Sequence, residues 1–260
     1  LDSIINYVGN TDGVNLNNAI LITNSSEVVI KRNKINATLV SAKVPWVEEP
    51  AGSWNYVPYP VSEGVVVDSS DNVYFIDNNV TINYNNFVGD YDTIYSVNFK
   101  NSNNATIAGN EIIANGHSYI YGIQISGENF NIYGNEINAT TDNYYACGID
   151  VEGPANGTIY FNNISANGVM SAYAIYSGMN YKDAYVGYGK NNLYASAYLA
   201  FGMSLGDKES MIYNNEIIVD GNYTMGIASK AQKLTAVENI IVLNSSEQGD
   251  EDIWEAFGVS

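Results

Sequence analysis

Residues 121–140, YGIQISGENFNIYGNEINAT, contain two short apolar runs, and the second run begins directly after an asparagine and a glutamate. Similar segments occur at 104–116 (NATIAGNEIIANG), 156–168 (NGTIYFNNISANG) and 210–221 (SMIYNNEIIVDG). Short runs of branched and aromatic residues separated by Asn and Gly are typical of strands joined by turns. The recurrence predicts a chain built from one repeated unit.

The first repeated motif is a small residue followed by a large apolar residue. Six copies are spaced at equal steps of 26 residues, and their small residues are Ser96, Gly122, Gly148, Ala174, Ala200 and Gly226. Less regular copies at Ala19, Gly64 and Ala256 extend the series in both directions. The motif therefore predicts nine copies of the unit.

The second motif is an asparagine, any residue and a branched apolar residue, and it follows each copy of the first. Seven copies begin at Asn33, Asn78, Asn110, Asn135, Asn162, Asn191 and Asn215. In the eighth copy, Glu238 occupies the position expected for asparagine, and Ile240 follows it.

Several repeat architectures are excluded by this pattern. Helical repeats need about ten residues of 3.6-residue periodicity per element, and none is present. Leucine is too scarce for leucine-rich repeats, and a 26-residue period is not a multiple of the hexapeptide unit of left-handed β-helices. The sequence predicts an all-β fold, a right-handed, single-stranded parallel β-helix that spans 1–260 as one domain. About nine coils would stack at about 4.8 Å, the spacing of neighbouring strands.

Equivalent residues of successive coils lie above one another in such a stack. An asparagine at a bend can adopt the left-handed conformation, and its amide carries both a donor and an acceptor. We therefore expect the seven asparagines of the second motif to form a structural column with hydrogen bonds from coil to coil. We expect Tyr95, Tyr121 and Tyr173 to form another column, and the apolar residue two positions after each asparagine to point into the core.

The charge balance limits the range of partners. The chain has 28 acidic and 10 basic residues, for a formal net charge of −18. Such a surface repels nucleic acids and disfavours polyanionic substrates. No apolar run approaches eighteen residues, so we expect no membrane insertion. The single Cys147 excludes an internal disulfide and is expected to be a small buried residue.

The two motifs resemble those of the right-handed parallel β-helix repeat proteins, a large group that includes pectate lyases. Within this group, the acidic composition rich in Asn and Tyr is similar to that of adhesin-like surface proteins of methanogenic archaea. This resemblance implies an extracellular protein of the cell surface that binds glycans or proteins of a partner cell without catalysis. It also implies that the chain is a piece of a longer surface protein.

Some enzymes of this group carry carboxylates or basic residues on neighbouring coils, and the sequence offers weak candidates for such roles. Asp12, in NTDG, is a candidate general acid without its usual partners, so a turn is the better interpretation. Arg32 and His117 are the only residues of their types and are expected at a strand edge and in a loop. The acidic cluster at 250–255 could hold calcium, but a solvated turn is favoured. We expect no catalytic residue, no metal and no cofactor.

An insertion at 41–63, between the first and second coils, is the predicted binding element. It is rich in proline, which limits its freedom, and its aromatic residues are suited to stacking on sugars. The candidate ligand-binding residues are Trp46, Trp54, Tyr56 and Tyr59. The alternative is that this loop folds back and covers the side of the helix.

Two further functions remain open at the level of sequence. One is a polysaccharide lyase or glycoside hydrolase, which would need two or three carboxylates about 5–10 Å apart along one sheet. The other is a phage tail-spike or fibre protein.

Overall fold

The computed structural model describes residues 3–8, 18–39, 61–84, 92–153, 155–178 and 184–245. In these ranges the regular structure consists of β-strands. They are β1 (Ile4–Val8), β2 (Ile20–Thr23), β3 (Val29–Lys31), β4 (Lys34–Leu39), β5 (Val61–Asp68), β6 (Tyr74–Ile76), β7 (Asn79–Tyr84), β8 (Thr93–Lys100), β9 (Thr106–Ala108), β10 (Glu111–Gly116), β11 (Tyr119–Ile125), β12 (Glu128–Tyr133), β13 (Glu136–Thr141), β14 (Tyr145–Val151), β15 (Asn156–Tyr160), β16 (Asn163–Asn167), β17 (Ser171–Ser177), β18 (Tyr185–Gly189), β19 (Asn192–Leu205), β20 (Glu209–Tyr213), β21 (Glu216–Ser229), β22 (Lys233–Val237) and β23 (Ile240–Ser245).

Each complete coil contributes a strand to each of three faces, and the paired strands within every face are parallel. Face 1 consists of β2, β5, β8, β11, β14, β17 and the second halves of β19 and β21. Face 2 consists of β3, β6, β9, β12, β15, β18, β20 and β22. Face 3 consists of β1, β4, β7, β10, β13, β16, the first halves of β19 and β21, and β23. Because β19 and β21 continue around the corner from face 3 to face 1, these two faces form one 15-stranded sheet.

This architecture confirms the predicted all-β parallel β-helix. The described residues contain slightly fewer coils than the nine predicted, because face 2 has eight strands in this part of the chain. The ninth predicted copy, at Ala256, lies outside the described residues. Within the described part of the chain, no helix has the length and apolar character that crossing a bilayer requires.

Aliphatic columns fill the interior of the stack. The apolar residues of the second motif pair from coil to coil, as in Ile112 with Ile137 and Ile137 with Ile164, and all three are almost completely buried. The expectation that these residues point into the core is therefore confirmed. Burial of each such side chain contributes about 1.5–3 kcal/mol, so the core is the main source of stability.

The asparagines of the second motif form a continuous ladder at the corner between faces 2 and 3. Each side-chain Nδ2 donates to the Oδ1 of the asparagine in the next coil at 2.9–3.1 Å. The backbone N–H of the same residue donates to the same Oδ1 at 2.8–3.0 Å. From Asn78 onward, Nδ2 also donates to a backbone carbonyl of the preceding coil. A buried amide therefore keeps its hydrogen bonds in every interior coil.

The ladder differs from the prediction in two details. Its eighth member is Asn239, which accepts from Asn215, so the assignment of Glu238 to this position was wrong. The left-handed residue is also not the ladder asparagine but the residue before it. These preceding residues have φ between 53° and 64°, and they are Arg32, Asp77, Gly109, Gly134, Phe161, Lys190, Asn214 and Glu238. The turn ends one residue earlier than expected because the asparagine must already face inward to reach its neighbours.

The register of face 1 corrects one position of the first motif. Ile175 pairs with Met203 and Met203 with Ile227, so Gly202, not Ala200, lies level with Gly226. The last two steps are therefore 28 and 24 residues, instead of 26 each. A Cβ on Gly202 would lie 2.6 Å from the carbonyl oxygen of Gly226, so a side chain at this point of β19 would require the neighbouring strand to shift. Ala200 lies two residues earlier, where its side chain is buried.

Substitution of a single ladder residue tests the contribution of the ladder to stability. Asn135→Ala removes the acceptor of both the backbone N–H and the Nδ2 of Asn110, and the donor to the carbonyl of Ile107. Leaving these buried groups unpaired costs about 3 kcal/mol, so we expect a decrease in melting temperature of about 6–12 °C. Thermal unfolding followed by circular dichroism measures this change.

The matched control is Asn138→Ala, which changes an exposed asparagine of β13, the strand that begins directly after Asn135. It should alter the free energy of unfolding by no more than about 0.5 kcal/mol. Equal effects of the two substitutions would show that the ladder does not stabilise the fold.

Candidate functional site

The outer surface of face 1 carries a column of aromatic side chains. Tyr95 pairs in register with Tyr121, Tyr121 with Cys147, Cys147 with Tyr173, and Tyr173 with Phe201. The rings of Tyr95 and Tyr121 are 4.7 Å apart, and those of Tyr173 and Phe201 are 4.6 Å apart and nearly parallel.

Tyr145 completes this column where Cys147 lacks a ring. Its ring lies 5.4 Å from that of Tyr121 and 5.3 Å from that of Tyr173. We call Tyr95, Tyr121, Tyr145, Tyr173 and Phe201 the tyrosine column. The predicted column of Tyr95, Tyr121 and Tyr173 is present, and Tyr145 connects its two parts.

A polar column runs beside the tyrosine column on the same outer surface. Asn98 pairs in register with Gln124, and Gln124 with Asp150. All three are buried, although they alternate with residues that point into the core. Buried polar side chains on an outer surface are unusual, because polar groups on this side of a sheet are normally solvated.

At one end, the polar column contacts an ion pair between Glu63 and Lys100. The buried Glu63 accepts a hydrogen bond from Nδ2 of Asn98 at 2.7 Å. The Nζ of Lys100 lies 2.5 Å from the same carboxylate oxygen. The ammonium group compensates for the loss of hydration of this carboxylate.

At the other end of the polar column, no ammonium group of the described residues is recorded in an ion pair with the buried carboxyl group of Asp150. Asp150 accepts one hydrogen bond, from Nε2 of Gln124 at 3.3 Å, and its Oδ1 has no partner among the described residues. Burial and, to a smaller extent, the nearby Glu152 raise the pKa of Asp150 to about 8. Burial also raises the pKa of Glu152, while Gln124 and Lys100 act in the opposite direction.

Burial therefore favours the protonated form of Asp150 near neutral pH. Glu152 follows β14 directly, two residues after the outward-facing Asp150, and its side chain is exposed. A carboxylic acid that keeps its proton can donate a hydrogen bond, and a more accessible carboxylate can accept one. The pair can bind hydroxyl groups, and it also has the components of a general acid and a general base.

The candidate ligand-binding residues predicted from the sequence belong to a part of the chain that the structure does not describe. Trp46, Trp54, Tyr56 and Tyr59 lie outside the described residues, and so do Asp12 and the acidic cluster at 250–255. The structure does place the seven asparagines, in the ladder at the corner of faces 2 and 3 and away from the tyrosine column.

His117 and Arg32 lie at corners of the stack. The Nδ1 of His117 is 2.6 Å from Oδ1 of Asp142, and its Nε2 is 3.2 Å from Nδ2 of Asn143. Arg32 occupies the left-handed position before the first ladder asparagine. Among the residues that the structure describes, no group of three or more His, Cys, Asp or Glu side chains is placed to hold a metal ion.

The polar column was not predicted, although a repeated polar residue in the first motif indicates it. In the first motif, one residue separates two buried apolar residues, and in three successive coils this residue is Asn98, Gln124 or Asp150. A polar residue repeated at that position marks the outer surface of a strand.

Comparison with family models and with curated proteins gave no match. Among solved structures, the chain is similar to a siphovirus 9NA tailspike receptor binding domain, with a TM-score of 0.26 and 9% sequence identity. The alignment covers 99% of this chain and 75% of the tailspike chain. A similarity of this size carries no conclusion about function.

The pH dependence of stability tests the state of Asp150. Because its pKa is raised from 3.8 to about 8 in the folded protein, its contribution to stability is complete below about pH 4 and is lost as the pH rises to about 8. We expect the free energy of unfolding of the wild type to fall by a few kcal/mol between pH 5 and pH 8, relative to Asp150→Asn. Urea unfolding of both proteins across this range measures the difference, and parallel pH profiles would contradict the assignment.

Proposed function

We propose that the protein binds neutral glycans through the outer surface of face 1 and acts without catalysis as an adhesin-like β-helix. The observation that carries this proposal is the tyrosine column beside Asn98, Gln124 and Asp150. Sugars combine apolar C–H faces with hydroxyl groups, so their sites combine aromatic rings with a few well-placed polar groups. Both components occur side by side on face 1.

The phenol groups of the tyrosine column keep their protons, which favours hydrogen bonding to the hydroxyl groups of a ligand. Burial, together with the carboxylates or thiol nearby, raises the pKa of Tyr95 and Tyr121, and burial raises that of Tyr173 to about 12. The phenols are therefore neutral at physiological pH and can both donate and accept. A charged ligand fits less well, because Glu63, Asp150 and Glu152 share this surface and the net charge is −18.

The repetition of the site favours a polymer over a single sugar. Equivalent side chains recur at the spacing of the coils, about 4.8 Å, so successive units of a linear glycan would meet similar groups. Several weak contacts then act together, which raises the overall affinity. Such a glycan on the surface of another cell is the proposed partner, and the proposed location is extracellular, as for the adhesin-like proteins that the composition resembles.

Substitution within the tyrosine column tests this proposal. Tyr173→Ala removes a ring that stacks on Phe201 and contacts Tyr145. We expect binding to an immobilised neutral polysaccharide, chosen from a panel of dextran, mannan, galactan and arabinogalactan, to weaken at least tenfold, about 1.4 kcal/mol. Biolayer interferometry at constant protein concentration measures the change.

The control variant for this test is Tyr160→Ala, which removes a ring on face 2 that stacks on Tyr133 at 5.1 Å. It should bind the same polysaccharide with wild-type affinity. Absence of binding to every polysaccharide of the panel, or equal losses in both variants, would reject face 1 as the binding surface.

Glycan hydrolysis is the second candidate function. It is favoured by one observation, the two neighbouring carboxyl groups, of which Asp150 is buried with a pKa raised to about 8 and Glu152 is exposed. In this mechanism Asp150 would protonate the leaving oxygen, and Glu152 would act as a base or nucleophile.

A reducing-end assay on the same polysaccharides separates the two functions. If the protein hydrolyses its ligand, Glu152→Gln should lower the release of reducing ends at least a hundredfold and retain binding. If no reducing ends form from a polysaccharide that the wild type binds, hydrolysis is rejected and binding alone remains.

A further inference from the structure

Face 2 carries a gap in its outer surface. One outward-facing column of this face consists of residues that pair in register from β15 to β22, and they are Thr158, Gly187, Met211 and Thr235. A Cβ built on Gly187 would meet a single neighbour within 4 Å, the Cγ2 of Thr158 at 3.7 Å. The missing side chain leaves a depression of about 240 Å³ between β18 and β22.

The depression has both apolar and charged walls. Tyr185 and Met211 are 42% and 56% exposed, although both are large apolar side chains. Glu209 and Lys233 line the same depression, and their Oε2 and Nζ atoms are 3.0 Å apart. Thr235 adds a hydroxyl group.

We propose that this depression binds one neutral sugar ring of a glycan. The site is separate from the tyrosine column, which lies on face 1, and each site can be present without the other. If both are present, one molecule contacts glycans on two faces, and the overall affinity for a glycan-covered surface exceeds that of either site.

The chemistry of the walls selects this class of ligand. An anion would approach Glu209 on a protein of net charge −18, and a cation would approach Lys233. A purely apolar ligand would cover the Glu209–Lys233 pair and remove its hydration without replacing the lost hydrogen bonds. A neutral ring with several hydroxyl groups replaces those hydrogen bonds, and its C–H face packs on Tyr185 and Met211.

The walls of the depression are held in place before a ligand binds. Tyr185, Gly187, Glu209 and Lys233 all belong to paired strands of face 2. The Nζ of Lys208 lies 5.4 Å from the centre of the Tyr185 ring, which restricts that side chain. The backbone beneath the depression therefore loses little conformational entropy on binding.

Filling the depression tests the proposal. Gly187→Val places a branched side chain in open space on a strand, and the φ of Gly187 is not in the left-handed region, so the variant should fold. The probes are the methyl glycosides of glucose, mannose and galactose, titrated to 50 mM and followed by saturation-transfer NMR and by chemical shifts of the protein. We expect one of them to bind the wild type saturably, with a dissociation constant in the millimolar range, and to bind Gly187→Val at least tenfold more weakly.

Two further variants make the result specific. Thr158→Val changes the neighbouring outward residue of the same column, which does not line the depression, and should bind like the wild type. Tyr173→Ala, on face 1, should also leave the binding of the glycoside unchanged, whatever its effect on polysaccharides. The proposal is overturned if no glycoside saturates the wild type, if Gly187→Val binds with wild-type affinity, or if none of the shifted resonances lies on face 2.

Discussion

The asparagine ladder is the interaction on which the rest of the structure depends. Each interior Oδ1 accepts two hydrogen bonds from the preceding coil, so displacement of a coil by one residue would leave several buried donors and acceptors unpaired. The ladder therefore fixes the relative position of successive coils. Since side chains of a strand alternate between inside and outside, the same register that aligns the inner aliphatic columns also aligns the outer tyrosine column.

The architecture could be predicted from the sequence because each coil repeats an asparagine followed two residues later by a branched apolar residue, a pattern that is easy to recognise. The sequence alone could not decide between two alignments of a repeat when neighbouring residues are of the same type. Asn239 was missed because both Ile240 and Ile241 follow as branched apolar residues, and only the hydrogen bond from Asn215 decides between the two alignments. Ala200 and Gly202 are both small residues before a large one, and only the pairing of Met203 with Ile175 and Ile227 decides between them.

The candidate sites were harder to predict because they depend on contacts between coils. The tyrosine column was predicted only in part, since Tyr145 reaches the gap at Cys147 from a position two residues away. The buried state of Asp150 depends on everything that surrounds it, and its strand sequence alone does not contain that information. The depression at Gly187 becomes visible only when Met211 and Thr235 are known to follow it in register on the next two strands. The two proposed binding surfaces, on face 1 and face 2, thus both depend on the stacking of the coils.

Hydrogen exchange of the asparagine side-chain amides tests the ladder most directly. In a spectrum of the folded protein at neutral pH, the Nδ2 protons of Asn110, Asn135 and Asn162 should persist for hours in D₂O, because each amide is buried and hydrogen-bonded to the next coil. The Nδ2 protons of the exposed Asn131 and Asn138 should exchange within the dead time. Equally fast exchange in both groups would contradict a ladder that holds the coils in register.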